Sequence, residues 1–340
     1  MKNINVPTYI TGTWTNTMHG MGAIRGWLEV ASSQKWLRWH PWQEWYDLWG
    51  NPQAKEELFQ FMDHFLQGKD NGWEKTPPVR MAVLRFGEPD PSKPQSYENV
   101  VEDDFPIPRT EYKPMFFNSS GDLSEAAPSD SSVLSYNSES AESVSFTHMF
   151  SKTTRLVGLP KAVIYMSCPD HDDMDIYIQL EKLSKSGEPM VNLNIPCKQA
   201  SSAYLIENIL IPRSGEGLPI KSFSEFTPKE ATEVVQYRGP SGILRASLRS
   251  IDESKSMHPN WPFHPHDKEE KVPAGTVVKL DIGIWAFGIE YEAGESIRVH
   301  VSGRTRSVDN FGTLDHLNNK GTHRVHIGGQ TPSHVILPFV

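Results

Sequence analysis

At 340 residues, with 37% hydrophobic and 22% charged side chains, the chain is long enough to bury a substantial core and has room for two domains of ordinary size. A net charge of -9 and the lack of any cluster of Lys or Arg exclude a partner held through phosphates, so neither nucleic acid nor an anionic membrane is expected. Two cysteines, Cys168 and Cys197, are too few for a disulfide framework, and no window offers the roughly 18 apolar residues of a membrane span or the apolar core of a signal peptide; a reducing, cytoplasmic setting is the simpler reading, with a single Cys168–Cys197 bridge left open.

In chain order, residues 6–14 form a β-rich run that ends at the polar turn Thr15-Asn16-Thr17. Residues 21–33 read as a helix with Ile24, Trp27, Leu28 and Ala31 on one face, and 35–40 as a second short strand. Residues 52–66 read as a second helix: Asn51 supplies a cap, Pro52 takes the first position, Leu58, Phe61, Met62 and Phe65 share a face, and Gly68 follows the end. Strand, helix, strand, helix is the grammar of an α/β unit, yet two strands leave both sheet edges and an apolar face bare. The unit must therefore pack on the rest of the chain or on a second copy, and a homodimer is expected.

Residues 69–78 are polar, end in a Pro pair and read as a linker, which divides the chain into 1–75 and 76–340. Beyond it, short β-rich runs at 79–84, 162–166, 175–183, 202–211, 277–285 and 296–302 are separated by connections rich in Pro, Gly, Ser and Asp, and no three-turn helix competes with them. The fold class expected is mainly β, a jelly-roll β-sandwich with a small N-terminal α/β unit. Residues 87–114 and 118–143 are acidic and Ser-rich enough to be long surface loops.

Eight of the ten tryptophans (Trp14, Trp27, Trp36, Trp39, Trp42, Trp45, Trp49 and Trp73) fall in the first 73 residues, four of them within 36–45. The order VPTYITGTW, KWLRWHPWQEW, FMDHFLQGKDNGWEKTPPVRM, GILRASLR, PFHPHD, IWAFGIEYEAGESIRVHVSG and THRVHIGGQTPSHVILP resembles the CocE/NonD hydrolases, serine hydrolases of the cocaine-esterase and X-Pro dipeptidyl-peptidase type. The resemblance implies the last part of an α/β-hydrolase domain, an α/β-hydrolase remnant, followed by the whole jelly roll, with the nucleophile half and the helical cap missing.

It also implies where a catalytic triad would lie, and this chain departs from it at each point. No Gly-x-Ser-x-Gly occurs; Gly239-Pro240-Ser241-Gly242 comes nearest, with the wrong spacing. Asn16 stands where the family's acid stands, and Glu44 where its histidine stands. An amide cannot stabilise an imidazolium, a glutamate does not replace a neutral imidazole, and no activated oxygen forms an acyl-enzyme, so ordinary hydrolysis is not expected.

The rim of this lost site still gathers candidates: Glu44, His40, His19 and Asn16 for chemistry, and Trp14, Trp39, Trp42 and Trp45 for holding an apolar small molecule. Either the tryptophans line a pocket or they plug the hole left by the missing half. Of the chemistries open to such a pocket, those that need no nucleophile fit: a cyclase, pericyclase (Diels-Alder type) or isomerase of specialised metabolism, working by preorganisation with one polarising or proton-moving group. A serine hydrolase completed by a second chain and a non-catalytic binding or scaffold protein are the alternatives. No cofactor or metal site is expected: the acidic run Asp170 to Asp175 reads as a strand-entry turn, as do His258 and the His264-Pro265-His266 cluster, and His316, His323, His326 and His334 read as ordinary hydrogen-bonding residues.

Overall fold

The computed structural model describes residues 1–15, 17–87, 96–193, 236–305 and 319–340. In chain order the strands are Thr8–Thr13 (β1), Lys35–His40 (β2), Val79–Leu84 (β3), Ser96–Glu102 (β4), Glu111–Phe117 (β5), Leu123–Ser124 (β6), Ser132–Asn137 (β7), Ser143–Met149 (β8), Thr154–Gly158 (β9) and Lys161–Ser167 (β10). They continue with Asp175–Leu183 (β11), Asn192–Leu193 (β12), Gln236–Tyr237 (β13), Ser241–Arg245 (β14), Val278–Gly283 (β15), Phe287–Tyr291 (β16), Ser296–Ser302 (β17), Thr322–Ile327 (β18) and His334–Phe339 (β19). Among the described residues the α-helices are Thr17–Glu29 (α1), Glu44–Trp49 (α2) and Pro52–Gln67 (α3), all before β3.

Local sequence explains the helix ends. The Asn51 side chain accepts a hydrogen bond from the Gln53 amide, Pro52 opens α3, and Gly68 closes it with φ of 67°, a left-handed turn that glycine takes without a Cβ penalty. Helix α1 starts four residues before the expected Met21 and stops before Val30. The six-residue α2 is unforeseen; it carries Glu44 and Asp47 in its first turn, where acidic side chains suit the helix dipole, and Gly50 ends it by donating to the Tyr46 carbonyl.

Strands β1, β2 and β3 are parallel, with Thr8 opposite Lys35 and Leu37 opposite Val79. The expected division near residue 75 falls at the 3-10 turn Trp73–Lys75, and the sheet runs on past it. Strand β3 bonds β2, the antiparallel β4, and, through Leu84 and Ile289, β16. The larger sheet then continues in the order β16-β9-β19-β10-β18-β7. A second sheet, β14-β11-β17-β8, closes the sandwich over a core that includes Phe117, Phe146, Ile178, Ile297 and Val301.

The expected sandwich and its small α/β unit are therefore both present, as lateral neighbours in one sheet. The expected loops at 87–114 and 118–143 require correction, because β4, β5, β6 and β7 lie within them. Strand β4 exposes Tyr97, Glu98, Asn99 and Val101 and shows no alternation, while β7 alternates with Val133, Ser135 and Asn137 on its exposed face, so neither carries in its sequence the apolar–polar pattern of a half-buried strand. The expected strand at 202–211 lies outside the described residues. Among the described residues no helix is long and apolar enough to cross a membrane.

Candidate functional site

Parallel pairing puts alternate residues of β1 and β2 on opposite faces, and helices cover both. On the α1 face, Trp14 and Trp39 are each 2% exposed and stack with ring centroids 4.2 Å apart and an interplanar angle of 15°. Phe105 closes the group at 6.0 and 6.1 Å from the two rings. Two glycines make room for them: a β-carbon on Gly12 would meet the Trp39 ring, and one on Gly288 would stand 3.0 Å from Trp14 Nε1. That nitrogen donates to the Ala82 carbonyl at 2.7 Å. Trp14 and Trp39, expected to wall a pocket, lie in close-packed core instead.

The α3 face carries a second aromatic group. Trp73 is fully buried, with Tyr9, Trp36 and Phe61 around it at 5.2 to 5.5 Å. Beside it lies a polar centre that was not anticipated. Glu57 of α3 takes hydrogen bonds from Tyr9 at 2.6 Å and from Arg38 and Arg80 of β2 and β3. Burial acts to raise the Glu57 carboxyl, but the Arg80 hydrogen bond and the Arg38 charge outweigh it and hold the group below its ordinary value. A carboxylate facing two arginines across a sheet is a structural clamp. Its sequence signal is Arg38 and Arg80 on strands otherwise rich in apolar residues.

His40 is also buried on the α3 face, with Nδ1 3.3 Å from Asp47 Oδ2, while Asn51 donates to the other Asp47 oxygen at 2.7 Å. Burial lowers His40 well below the ordinary histidine value, with Arg38 and Arg80 adding to the effect. Burial also raises the Asp47 carboxyl to about 7, against the hydrogen bond from Asn51. Elsewhere on the expected rim, His19 is exposed and reaches Glu44 at 3.7 Å. Trp42 is half-buried, and Trp45 lies on α2 with its side chain outside the description. Asn16 is outside the described residues. Five of the eight expected site residues thus separate into a filled core at Trp14 and Trp39, a buried His40–Asp47 contact and a surface His19–Glu44 pair.

Two cavities lie at the two tryptophans outside the N-terminal run. A cavity of about 280 Å³ is lined by Trp261, Phe263, Trp285, His264, His266 and Ile243, and a second of about 290 Å³ by Met21, Gly22, Arg25, Lys255 and Met257 together with the same Trp261 and Phe263.

The acidic run serves as the expected turn. Asp173 accepts from the Met174 and Ser247 amides and pairs with Lys271, and Asp175 pairs with Arg245. His323 meets the Tyr136 hydroxyl at 3.0 Å, and His326 meets Ser167 at 2.8 Å. Among the described residues no group of three His, Cys, Asp or Glu side chains is placed to hold a metal. Cys168 is a buried free thiol, and Cys197 lies outside the described residues.

Residues 71–336 match the family model of the X-Pro dipeptidyl-peptidase C-terminal non-catalytic domain. Among solved structures, a CocE/NonD family hydrolase from Staphylococcus aureus is 25% identical, with a TM-score of 0.80 over 99% of this chain and 55% of that one. An aminopeptidase from a marine-sediment Thaumarchaeota archaeon (13% identical, TM-score 0.61, 99% of this chain and 55% of that one) has the same fold. So does an α-amino acid ester hydrolase (14%, 0.59, 99% and 56%). The chain spans little more than half the length of these structures. A search of curated proteins returns no match.

Proposed function

The chain belongs to the X-Pro dipeptidyl-peptidase C-terminal non-catalytic domain family, as the C-terminal part of a CocE/NonD-like protein, and from that premise we propose that it acts as a non-catalytic binding or scaffold module. The Trp14–Trp39 stack carries this reading. The aromatic segment that would have to surround a substrate is packed against Phe105, Gly12 and Gly288, and Trp14 and Trp39 are both buried in it.

Completion by a second polypeptide would supply a nucleophile yet leave Asn16 and Glu44 in the acid and base places, where neither does the work of the residue it replaces. A cyclase or isomerase acting by preorganisation would need open space at Trp14 and Trp39. A scaffold has surface to work through. Among the described residues strand β1 ends its sheet, bonded to β2 alone, and Phe59, Met62 and Leu66 stand exposed on α3. A second copy of the chain is the simplest partner for that surface, and a clean monomer by mass in solution at micromolar concentration would remove it.

The central test is a fluorophosphonate probe on the purified chain. No labelling is expected; stoichiometric labelling of a serine would overturn the non-catalytic reading, as would turnover of a polyene or terpenoid panel that is lost when Trp39 is changed.

A further inference from the structure

The two cavities adjoin at Trp261 and Phe263, which line both, and lie between α1 in the N-terminal unit and β14 and β15 at the seam between the two sheets. We infer that they act as one groove that binds a flat, largely apolar organic anion. The inference is independent of the Trp14–Trp39 packing, and its test fails separately from the fluorophosphonate one.

Shape comes first. Each half of the groove is near the lower end of the roughly 300–1,000 Å³ typical of small-molecule sites, and the two joined fall within it. Gly283 leaves the floor bare, so that the Trp261 indole lies directly over it: a β-carbon there would be 3.0 Å from Cε3 of that ring. Trp285 stands 5.6 Å from Trp261 at 45°, so the two indoles touch and together form one aromatic wall against which a planar body can lie.

Charge comes second. The lining contains Arg25 and Lys255 at the α1 end and His264 and His266 at the other, and neither cavity is lined by an Asp or Glu. In a chain of net charge -9, a lining whose charged side chains, the histidines aside, are Arg25 and Lys255 alone favours an anion. Arg25 pairs with Glu29 at 3.2 Å, and Lys255 with Asp252 at 2.9 Å, in partly exposed contacts that an entering carboxylate can share. The anionic group therefore sits at the α1 end and the planar body against Trp261, Phe263 and Trp285.

Rigidity comes third. The segment 250–266 that forms one wall is pinned along its length. The Asp252 amide donates to the Phe263 carbonyl at 2.9 Å and the Phe263 amide to Ser256 Oγ at 3.0 Å. The His264 ring reaches the Ser250 and Asp281 carbonyls at 3.0 and 3.1 Å, and Lys161 donates to the Pro259 carbonyl at 3.1 Å. A wall ordered in advance lowers the entropic cost of binding.

Calorimetry of the full chain with naphthalene-2-carboxylate tests the site. One molecule per chain is expected, with naphthalene-2-carboxamide at least about tenfold weaker because it lacks the charge. The double change Arg25→Gln and Lys255→Gln brings the carboxylate to the affinity of the amide. Gly22→Leu is the safeguard against misfolding: a β-carbon at Gly22 meets nothing within 4 Å, leucine favours the helix, and the added side chain fills the α1 end of the groove. It abolishes binding of both compounds with the melting temperature undiminished. Equal affinity for the two compounds, binding untouched by Gly22→Leu, or no heat at millimolar carboxylate would each overturn the inference.

Discussion

The Trp39 indole fills the space that a side chain at Gly12 would need. A β-carbon built on Gly12 stands 2.8 Å from Cε3 of Trp39 and 2.9 Å from Cβ of Ala23. Neither neighbour has room to retreat, since Trp39 is stacked on Trp14 and Ala23 belongs to α1. The tryptophan-rich segment is thus a joint: through Trp14 and its bond to Ala82 it fastens the parallel strands and α1 onto the sandwich edge at β3 and β16.

Gly12→Ala is accordingly expected to lower stability by about 1–3 kcal/mol, the usual cost of overpacking. Gly12 does not need a left-handed backbone, so the loss is steric. Urea unfolding at constant slope should show a lower midpoint, and an unmoved midpoint would mean that the stack is loose enough to yield.

Glu57→Gln should cost more. Arg38, Arg80 and Glu57 are all largely buried, and removing the one carboxylate leaves two desolvated cations without their counter-charge, a loss on the order of 3–5 kcal/mol. The pH dependence follows from the lowered Glu57 carboxyl. Its contribution is fully present above the unfolded value of 4.5 and fades as pH falls through the lower folded value. The gap between parent and variant should be constant near neutrality and narrow in acid. A gap that persists unchanged to low pH would assign the loss to packing alone.

Asp47 works in the opposite sense. Its folded value of about 7 exceeds the ordinary 3.8, so the folded chain binds this proton more tightly than the unfolded one and loses stability as pH rises between those limits. Asp47→Asn keeps the neutral shape and the contact with Asn51 while removing that loss. The variant should match the parent near pH 4 and exceed it at pH 8 by on the order of 2–4 kcal/mol. His40, held neutral by burial beside it, adds an acid-side loss that the variant leaves in place. Equal melting temperatures of parent and variant across the range would remove Asp47 as the titrating group.

Much of this architecture is legible in the sequence where local rules and burial agree. Helix α3 announces itself through Asn51, Pro52 and Gly68, and β11, buried along its whole length, reads as a strand to the residue. Strands β4 and β7 are illegible by composition because Glu98, Asn99, Ser135 and Asn137, all exposed, break up their apolar residues. Helix α2 hides because six residues carry less than two turns of periodicity, and its Trp45 reads as a pocket residue. The triad losses at Asn16 and Glu44 are visible from the motif alone. Whether Trp14 and Trp39 line a space or fill it depends on Gly12 and Gly288, of which the second is hundreds of residues away. Trp261 and Trp285 gave no signal by density. A pair of indoles over a glycine floor, Gly283, becomes visible only once 250–266 folds across β15.

The last prediction concerns Lys182, 2% exposed in the middle of the sandwich. Its ammonium donates to the Glu290 carbonyl at 2.8 Å, to the Arg85 carbonyl, and to Glu295 Oε2 at 2.8 Å, so all three protons are used, and it lies 5.5 Å from the Tyr291 ring. Burial lowers its value, and the Glu295 hydrogen bond works against that. A buried ion pair has little net worth against an apolar replacement, yet breaking one side of it strands the other. Lys182→Met therefore leaves the Glu295 carboxylate desolvated and should cost on the order of 3–5 kcal/mol. Adding Glu295→Gln, which keeps the acceptor used by the Glu292 amide, removes the stranded charge and should restore a large part of that loss. The coupling, read from four urea curves as a double-mutant cycle, is expected to exceed about 1 kcal/mol. Additive losses would mean that the two backbone carbonyls, not Glu295, hold the lysine inside.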